Sequence, residues 1–186
     1  MTILLIRHGK TRANEQHLYC GSTDLPLSES GRQELTWVHP SAPESCRYLS
    51  SGMRRANETL ELLFPGVAYD TVPGLREVDF GKFELGSYEQ LKEDPDYIAW
   101  ITGDNMANTP PGGESGSDMT ARVLSAFGEI AAEGRNAVIV THGGVIAAIM
   151  ASLFPQENKN RYQWQSANGG GYRLEFRDGT WIYSNV

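Results

Sequence analysis

The sequence predicts an α/β fold with a mainly parallel central sheet, helices on both faces of that sheet, and a small lid insertion. Residues 3–6 and 137–141 are short, largely apolar runs rich in isoleucine and valine, a pattern typical of strands buried on both faces. Segments with apolar residues at helical spacing lie between the predicted strands, and such alternation favours a parallel sheet. At 186 residues the chain is long enough for one core, and we predict a single domain over 1–186.

The boundaries of the other elements follow from capping residues, helix breakers and apolar spacing. Ser28 and Ser115 are predicted N-caps, and Asp178-Gly179 predicts the turn of a hairpin. Residues 11–20 are polar and predict a loop with a short helix. The longer predicted helices cover 29–39, 54–64, 116–133 and 145–154, and the further strands cover 46–50, 67–72, 172–176 and 180–183.

The segment from about 78 to 114 has no clear periodicity. The residues around Tyr88 and Trp100 suggest one or two short helices, and residues 108–113 are a loop rich in proline and glycine. Irregular segments between regular elements commonly carry function. We therefore interpret this segment as an insertion or lid over the ends of the strands.

Composition and charge restrict the classes of partner and location. The net charge of −7 argues against nucleic acid as a partner, so an anionic substrate would need a local cluster of cations. No apolar run is long enough to span a membrane, and the short run after Met1 does not predict a signal peptide. Cys20 and Cys46 are the two cysteines and lack zinc-like spacing. We expect a reduced, cytoplasmic protein without a metal or other cofactor, and leave its oligomeric state open.

Two of the predicted strands end in a histidine followed by glycine. Arg7-His8-Gly9 follows the first apolar run, and His142-Gly143-Gly144 follows the run at 137–141. Ligands bind at the carboxyl ends of strands in open α/β sheets. If these two strands are parallel neighbours, the two histidines emerge close together at one edge of the sheet.

Other segments place arginine, glycine and glutamate at characteristic spacings. The stretches are Arg7-His8-Gly9-x-Thr11-x-x-Asn14, Gly21-Ser-Thr-Asp-Leu-Pro-Leu27-Ser-x-x-Gly31, Ser50-Ser51-x-x-x-Arg55-Ala56-x-x-Thr59, Leu75-x-Glu77 followed by Phe80-Gly81-x-Phe83-Glu84, and Thr141-His142-Gly143-Gly144. Together they resemble the signature segments of the histidine phosphatase superfamily, the phosphoglycerate-mutase-like enzymes. The resemblance covers nearly the whole chain.

This resemblance implies phosphoryl transfer to a histidine. That chemistry needs an unprotonated ring nitrogen aimed at phosphorus and donors around the phosphoryl oxygens. The resemblance assigns His8 as the nucleophile and Arg7, Arg55 and His142 as donors to the transferring group. Of the two adjacent arginines the match selects Arg55, and we expect Arg54 to be exposed. Arginine suits the task because its planar fork binds phosphate through two hydrogen bonds and stays charged.

The resemblance also implies a set of substrate-binding positions and a catalytic acid. Asn14 would donate a further hydrogen bond, and the backbone N–H of Gly21, with that of Cys20, would face the ligand. Gly143 is assigned to the substrate-binding set as the neighbour of the second histidine. Glu77 would protonate the leaving oxygen and then act as the base for water.

Four positions depart from the family pattern. Lys10 stands where glutamate or glutamine is usual, Phe83 replaces a tryptophan, Leu85 replaces a glycine, and Gly52 replaces an acidic or small polar residue. None of the four removes a catalytic group. We therefore expect them to affect lid packing and specificity more than catalysis.

Within the family, the chain resembles the short phosphatase branch. Pro111-Gly-Gly-Glu114-Ser115-x-x-Asp118-x-x-x-Arg122 looks most like the α-ribazole-5′-phosphate phosphatases of cobalamin assembly. The predicted function is therefore a metal-independent phosphomonoesterase that acts on a small phosphorylated metabolite, such as α-ribazole 5′-phosphate. The alternatives are a broad-specificity phosphatase, a phosphoglycerate-mutase-type phosphotransferase, a non-catalytic phospholigand-binding module and, with weaker support, a metal hydrolase.

Overall fold

The computed structural model describes residues 1–104 and 106–186, and a six-stranded sheet lies at the centre of this part of the chain. The strands are β1 (Thr2–Arg7), β2 (Arg47–Ser50), β3 (Asp70–Thr71), β4 (Ala137–Thr141), β5 (Gly171–Arg177) and β6 (Thr180–Asn185). Their order across the sheet is β3-β2-β4-β1-β5-β6. The first four of these are parallel, and the β5–β6 hairpin is antiparallel. The predicted mainly parallel α/β fold is confirmed.

Helices occupy both faces of the sheet. They are α1 (Arg12–Glu15), α2 (Glu29–Leu35), α3 (Arg54–Leu63), α4 (Tyr88–Leu91), α5 (Pro95–Thr102), α6 (Gly116–Ala132) and α7 (Gly143–Leu153). On one face α6 and α7 pack over Ile3, Leu5 and Ile139. On the other, α3 packs over Leu4 and Ile6, as expected for strands with apolar residues on both sides.

Several element boundaries differ from the predicted ones. β3 has two residues instead of six, because its partner β2 is itself only four residues long and the two pair at Leu49 with Asp70 and at Ser50 with Thr71. α2 ends at Leu35, four residues before the predicted end. α7 begins at Gly143, two residues earlier than predicted, so its first turn directly follows His142.

The register of the sheet places both histidine-bearing ends at one edge. β1 and β4 pair in parallel from Ile3 with Ala137 to Arg7 with Thr141. The backbone N–H of His8 then donates to the carbonyl of Thr141 over 2.9 Å. The two histidines therefore leave the sheet side by side, as the sequence predicted.

The segment from 78 to 114 packs beside these strand ends. It contains α4, α5 and a 3₁₀ turn at Gly81–Phe83. Phe83 and Tyr97 are buried in an aromatic cluster with Trp100, with ring centroids 5.4 to 5.9 Å apart. This cluster gives the segment a small apolar core of its own. Within the described residues, none of the helices has the length and apolar character required to cross a bilayer.

Candidate active site

The two histidines at the ends of β1 and β4 are in direct contact. The ring centroids of His8 and His142 lie 5.1 Å apart, with the rings tilted by 61°. The residues are 5% and 0% exposed. A pair of titratable rings with this little access to water is held in a defined protonation state by its neighbours.

One hydrogen bond determines which nitrogen of His8 carries the ring proton. Its Nδ1 lies 2.7 Å from the carbonyl oxygen of Gly9, and a carbonyl only accepts, so Nδ1 carries the proton. Nε2 therefore holds the lone pair that a nucleophile needs. The N–H of Gly9 in turn donates to Thr59 Oγ1 over 2.9 Å. A Cβ at Gly9 would come within 2.7 Å of the Leu35 side chain, so glycine lets Leu35 pack closely against this backbone.

The surroundings of His8 keep its ring neutral. Burial lowers the pKa of His8 well below its ordinary value, and the positive charges of Arg55 and Arg7 lower it further, against the opposing hydrogen bond to Gly9. Burial and then Arg55 likewise hold the pKa of His142 well below its usual range. Neutral imidazole at Nε2 is the form required for attack on phosphorus.

Arg55 is the buried cation of the site. It lies in the first turn of α3 and is 1% exposed. Its Nη2 donates to the carbonyl of Gly21 over 2.8 Å and its Nη1 to the carbonyl of Thr23 over 2.9 Å. Within the described residues no carboxylate forms a salt bridge with it. Arg54 instead lies outside, with 60% of its side chain exposed and its Nε 2.9 Å from Glu58, as predicted.

Both ring nitrogens of His142 are engaged by protein groups. Nδ1 accepts from Arg55 Nε at 3.3 Å, so the single N–H of the neutral ring is on Nε2, which lies 2.8 Å from Ser51 Oγ. The structure brings His142 to the predicted place. In this arrangement, however, its N–H is directed at Ser51, and donation to a phosphoryl oxygen stays a prediction. The role of Ser51 was not predicted, although Ser50-Ser51 belongs to the motif that selected Arg55.

Arg7 has a buried donor with no partner. Its Nη1 donates to the carbonyl of Ser166 over 2.7 Å, which fixes the position of the guanidinium. Of the buried side-chain nitrogens and oxygens that the structure describes, its Nε is the one without a hydrogen bond. A Cβ at Gly143 would come within 3.1 Å of the Arg7 guanidinium carbon, so Gly143 provides room for that group. An unsatisfied buried donor of this kind is suited to an incoming anion.

Glu77 lies at the N-terminus of α7. Its Oε2 accepts from the backbone N–H of Gly144 over 2.9 Å, and its Oε1 accepts from the N–H of Val78 over 3.0 Å. Carboxylates are favoured at helix N-termini, where N–H groups lack partners. A Cβ at Gly144 would lie 2.4 Å from Oε1. The second glycine after His142 is therefore needed to admit this carboxylate.

Arg122 holds the backbone just before Glu77. Its Nη1 donates to the carbonyls of Gly74 and Arg76 over 3.0 and 2.9 Å. The same guanidinium binds both carboxylate oxygens of Glu114, at 2.9 and 2.6 Å. These two residues belong to the segment 111–122 that the sequence analysis singled out, and their contacts give that segment a structural role.

Glu84 fixes the loop that carries Gly21, which the sequence analysis did not predict. Its carboxylate accepts from the backbone N–H groups of Gly21, Ser22, Thr23 and Phe80 at distances of 2.9 to 3.2 Å. The N–H of Gly21 therefore holds the loop to the lid segment and does not point into an open phosphate site, which differs from the predicted arrangement. The motif Phe-Gly-x-Phe-Glu contains Glu84, but local spacing does not indicate its partners.

The other predicted binding residues lie near the same loop. Asn14 Oδ1 accepts from the N–H and hydroxyl of Thr11, both at 3.0 Å, which leaves the amide nitrogen of Asn14 as the donor of that side chain. Cys20 Sγ donates to the carbonyl of Thr23 at 3.6 Å, and burial raises the pKa of its thiol. Contact of Asn14 and Cys20 with a substrate stays a prediction, whereas the N–H of Gly21 is directed at Glu84.

The structure shows the surroundings or the backbone conformation of the four residues that depart from the family pattern. Lys10 Nζ reaches Glu34 at 2.7 Å on the surface. Phe83 is fully buried in the aromatic cluster. Gly52 and Leu85 both have left-handed backbone conformations, with φ of +82° and +59°. Glycine is the expected residue for such a conformation, so Leu85 is strained where the family has glycine.

The sequence profile of the Histidine phosphatase superfamily (branch 1) matches residues 3–186. The chain belongs to this superfamily. Within the part of the chain that the structure describes, no cluster of three or more histidine, cysteine, aspartate or glutamate side chains has the geometry of a metal site.

The chain is similar to phosphatases and to a mutase. The adenosylcobalamin/alpha-ribazole phosphatase of Salmonella typhimurium (strain LT2) is 31% identical to it over 96% of this chain and 92% of that protein. The crystal structure of the alpha-ribazole phosphatase from Shigella flexneri has a TM-score of 0.86 at 26% identity, covering 99% and 95% of the two chains. The crystal structure of a phosphoglycerate mutase from Thermus thermophilus has a TM-score of 0.75 at 31% identity, covering 98% and 96%.

The buried neutral histidines predict a loss of stability in mild acid. Because the pKa values of His8 and His142 are lowered in the folded state, the unfolded chain binds more protons below about pH 6.5. The free energy of unfolding should therefore fall as the pH drops from 7 to 5, with a slope approaching about 1.4 kcal/mol per pH unit for each histidine. Urea unfolding at several pH values measures this slope. The variant His8→Gln should reduce this slope, whereas a change at the exposed His39 should not. A free energy of unfolding that stays constant down to pH 5 would contradict the conclusion that both buried rings are neutral.

The two adjacent arginines predict a matched pair of variants. Arg55→Ala removes a buried guanidinium that contacts His142, and we expect kcat/KM for phosphate ester hydrolysis to fall by about 100-fold or more, as for the loss of a preorganised charged donor. Arg54→Ala removes a solvent-exposed partner of Glu58 and should change kcat/KM less than about two-fold. Steady-state kinetics measures the loss of kcat/KM in both variants, and urea unfolding verifies that both are folded. Equal losses in folded variants, or a larger loss for Arg54→Ala, would show that the choice of Arg55 over Arg54 is wrong.

Proposed function

We propose that this protein is a phosphomonoesterase that works through a phosphohistidine on His8. The observation that carries the proposal is the state of His8: a neutral ring with its Nδ1 proton bound to the carbonyl of Gly9 at 2.7 Å. The charges of Arg55 and Arg7 act on this ring and help to lower its pKa. A nucleophile without a proton, close to two guanidinium groups, is the arrangement that attack on a phosphate dianion requires.

In the first step Nε2 attacks phosphorus and the bond between phosphorus and the ester oxygen breaks. The ring becomes positively charged as the N–P bond forms, and the Gly9 carbonyl stabilises that charge through the Nδ1 proton. Arg7 Nε, which has no partner, and the guanidinium of Arg55 stabilise the charge on the phosphoryl oxygens. Binding a dianion also supplies negative charge to the buried Arg55, which has no carboxylate partner within the described residues.

Glu77 serves proton transfer in both steps of the proposed mechanism. Its proton goes to the leaving alkoxide in the first step. In the second, the carboxylate takes a proton from the attacking water, the P–N bond breaks, and His8 returns to its neutral form with inorganic phosphate as product. The N–H groups of Gly144 and Val78 hold the carboxyl group in one position for both tasks.

The relatives favour α-ribazole 5′-phosphate as the substrate. The phosphatases from Salmonella typhimurium and Shigella flexneri carry α-ribazole in their names, and the match to the former extends over nearly the full length of both chains. The likeness to a phosphoglycerate mutase supports a phosphotransferase as the second candidate. We further propose that residues 1–186 form one catalytic domain with 78–114 as its lid, that turnover needs no metal or cofactor, and that the protein acts in the cytoplasm.

The first test is covalent trapping of the intermediate. Wild-type protein mixed with ³²P-labelled substrate in EDTA and quenched in alkali, where phosphohistidine survives, should carry the label on His8. His8→Ala should stay folded and carry none. Label on another residue would overturn the assignment. Ligand binding without turnover would favour a binding module, and loss of activity in EDTA would favour a metal hydrolase.

The second test concerns the proton that Glu77 donates. An alkoxide leaves poorly without a proton, whereas p-nitrophenolate is stable alone, so Glu77→Gln should slow single-turnover phosphorylation by ribose 5-phosphate far more than by p-nitrophenyl phosphate. A ratio of the two losses of about 100 or more is consistent with general acid catalysis. Steady-state turnover should fall for both substrates, because hydrolysis of the intermediate still needs the base. Equal single-turnover losses would mean that Glu77 binds or positions the substrate only.

A further inference from the structure

Ser51 is a buried residue beside the site that the proposed phosphoryl transfer does not use. It directly follows β2 and is 0% exposed. Its backbone N–H donates to the carbonyl of Val140 in β4 over 3.2 Å, so Ser51 lies at the sheet edge from which His142 emerges. Its Oγ is 2.8 Å from His142 Nε2. The hydroxyl is therefore placed to act on that ring.

The direction of this hydrogen bond follows from the opposite side of the ring. Arg55 Nε lies 3.3 Å from His142 Nδ1, and a guanidinium N–H can only donate, so Nδ1 must keep its lone pair. Burial and then the charge of Arg55 hold the pKa of His142 well below its usual range, so the neutral ring carries one proton, on Nε2. Ser51 Oγ consequently accepts from His142, as it does from the backbone N–H of Met53 over 3.3 Å.

Without the Ser51 hydroxyl, neither neutral form of the His142 ring would keep all of these hydrogen bonds. With the proton on Nε2, a buried N–H would lose its acceptor, and buried polar groups without partners are costly. With the proton on Nδ1, two N–H donors would face each other, and Arg55 would lose its bond to the ring. The hydroxyl thus makes one arrangement of the ring preferred.

The bond from Arg55 to His142 also helps to fix the plane of the guanidinium. Nη1 and Nη2 donate to the carbonyls of Thr23 and Gly21, so Arg55 is bonded through each of its three side-chain nitrogens. A guanidinium has five N–H groups, and one on each terminal nitrogen has no acceptor within the described residues. Because the group is planar, the other bonds set the directions of these two N–H groups.

We propose that Ser51 is a positioning residue, which holds the proton of His142 on Nε2 so that Arg55 presents its remaining N–H groups to the phosphoryl oxygens. This inference rests on the proposed phosphatase activity and adds a residue to it. It also gives His142 a task that the observed geometry allows, since both ring nitrogens are engaged by protein groups. Ser51 acts through His142 and Arg55 and needs no contact with the substrate.

The first test reads the position of the proton directly. Nitrogen NMR of protein with ¹⁵N-labelled histidine rings, at neutral pH, distinguishes a protonated from a bare ring nitrogen, and the variant His142→Gln assigns the signals. Wild type should carry the His142 proton on Nε2, and Ser51→Ala should lose this pattern. His8, whose proton is on Nδ1, gives the opposite pattern as an internal reference. A wild-type His142 proton on Nδ1 would overturn the inference, whether or not the protein is active.

The neighbouring Ser50 provides a matched control. It is also 0% exposed, but its Oγ bonds to Asn57 and Gly52 instead of a histidine. Ser50→Ala should leave the His142 spectrum unchanged, and Ser51→Thr, which keeps the hydroxyl, should retain the wild-type pattern. If urea unfolding shows that Ser51→Ala does not fold, Ser51→Cys takes its place, because it keeps the volume and offers a much weaker acceptor.

The second test measures the consequence for the phosphoryl group. Ser51→Ala should lower kcat/KM for p-nitrophenyl phosphate by about 10-fold, less than Arg55→Ala, because the cation stays but is no longer held in one orientation. Titration calorimetry with inorganic phosphate should show weaker binding to Ser51→Ala and unchanged binding to Ser50→Ala. A lower kcat/KM with an unchanged His142 spectrum would show that Ser51 does not act through the ring.

The same measurements separate this inference from the phosphatase proposal. If Ser51→Ala and Ser50→Ala hydrolyse the ester as fast as wild type, the phosphatase proposal survives and the role of Ser51 is wrong. If wild type hydrolyses no phosphate ester, the phosphatase proposal fails. The spectra and the phosphate titration then decide whether Ser51 holds His142 and Arg55 for an anion.

Discussion

The buried guanidinium of Arg55 is the interaction on which the rest of the site depends. A buried cation that is bonded only to carbonyls and to a neutral ring carries a large desolvation cost, since these partners bring no negative charge. That cost is offset by the packing of the fold around it: the loop of Gly21 and Thr23 presents its carbonyls, and β4 delivers His142. Burial and the resulting positive potential together lower the pKa of His8 and keep its ring neutral.

The opposite wall of the site depends on the first turn of α7. Because this helix starts directly after His142, the short stretch from His142 to Gly144 supplies both the His142 ring on one side of the site and the Gly144 N–H on the other. Glu77 is held at that N–H, and Arg122 holds the chain that carries Glu77. The position of His142 and the N–H that holds Glu77 are thus both set by the end of one strand, β4.

The sequence was sufficient to predict the features that depend on a local residue pattern or on strand register. The runs at 3–6 and 137–141 predicted buried parallel strands, and their register alone brings His8 and His142 together. It was not sufficient for contacts between distant loops. Glu84 and Gly21 are separated by 63 residues, and nothing in the spacing around Glu84 indicates that its carboxylate collects the N–H groups of that loop. The hydrogen bond of Ser51 to His142 was missed for the same reason.

The left-handed backbone at Leu85 has a consequence for the lid. The N–H of Leu85 donates to the carbonyl of Tyr19 over 2.7 Å, and the N–H of Tyr19 donates to the carbonyl of Gly86 over 3.0 Å. These two bonds hold a residue with a β-carbon in a conformation that costs about 1 kcal/mol. When they break, Leu85 returns to ordinary backbone and that free energy is recovered. Opening at this joint should therefore cost about 1 kcal/mol less than in a relative with glycine here.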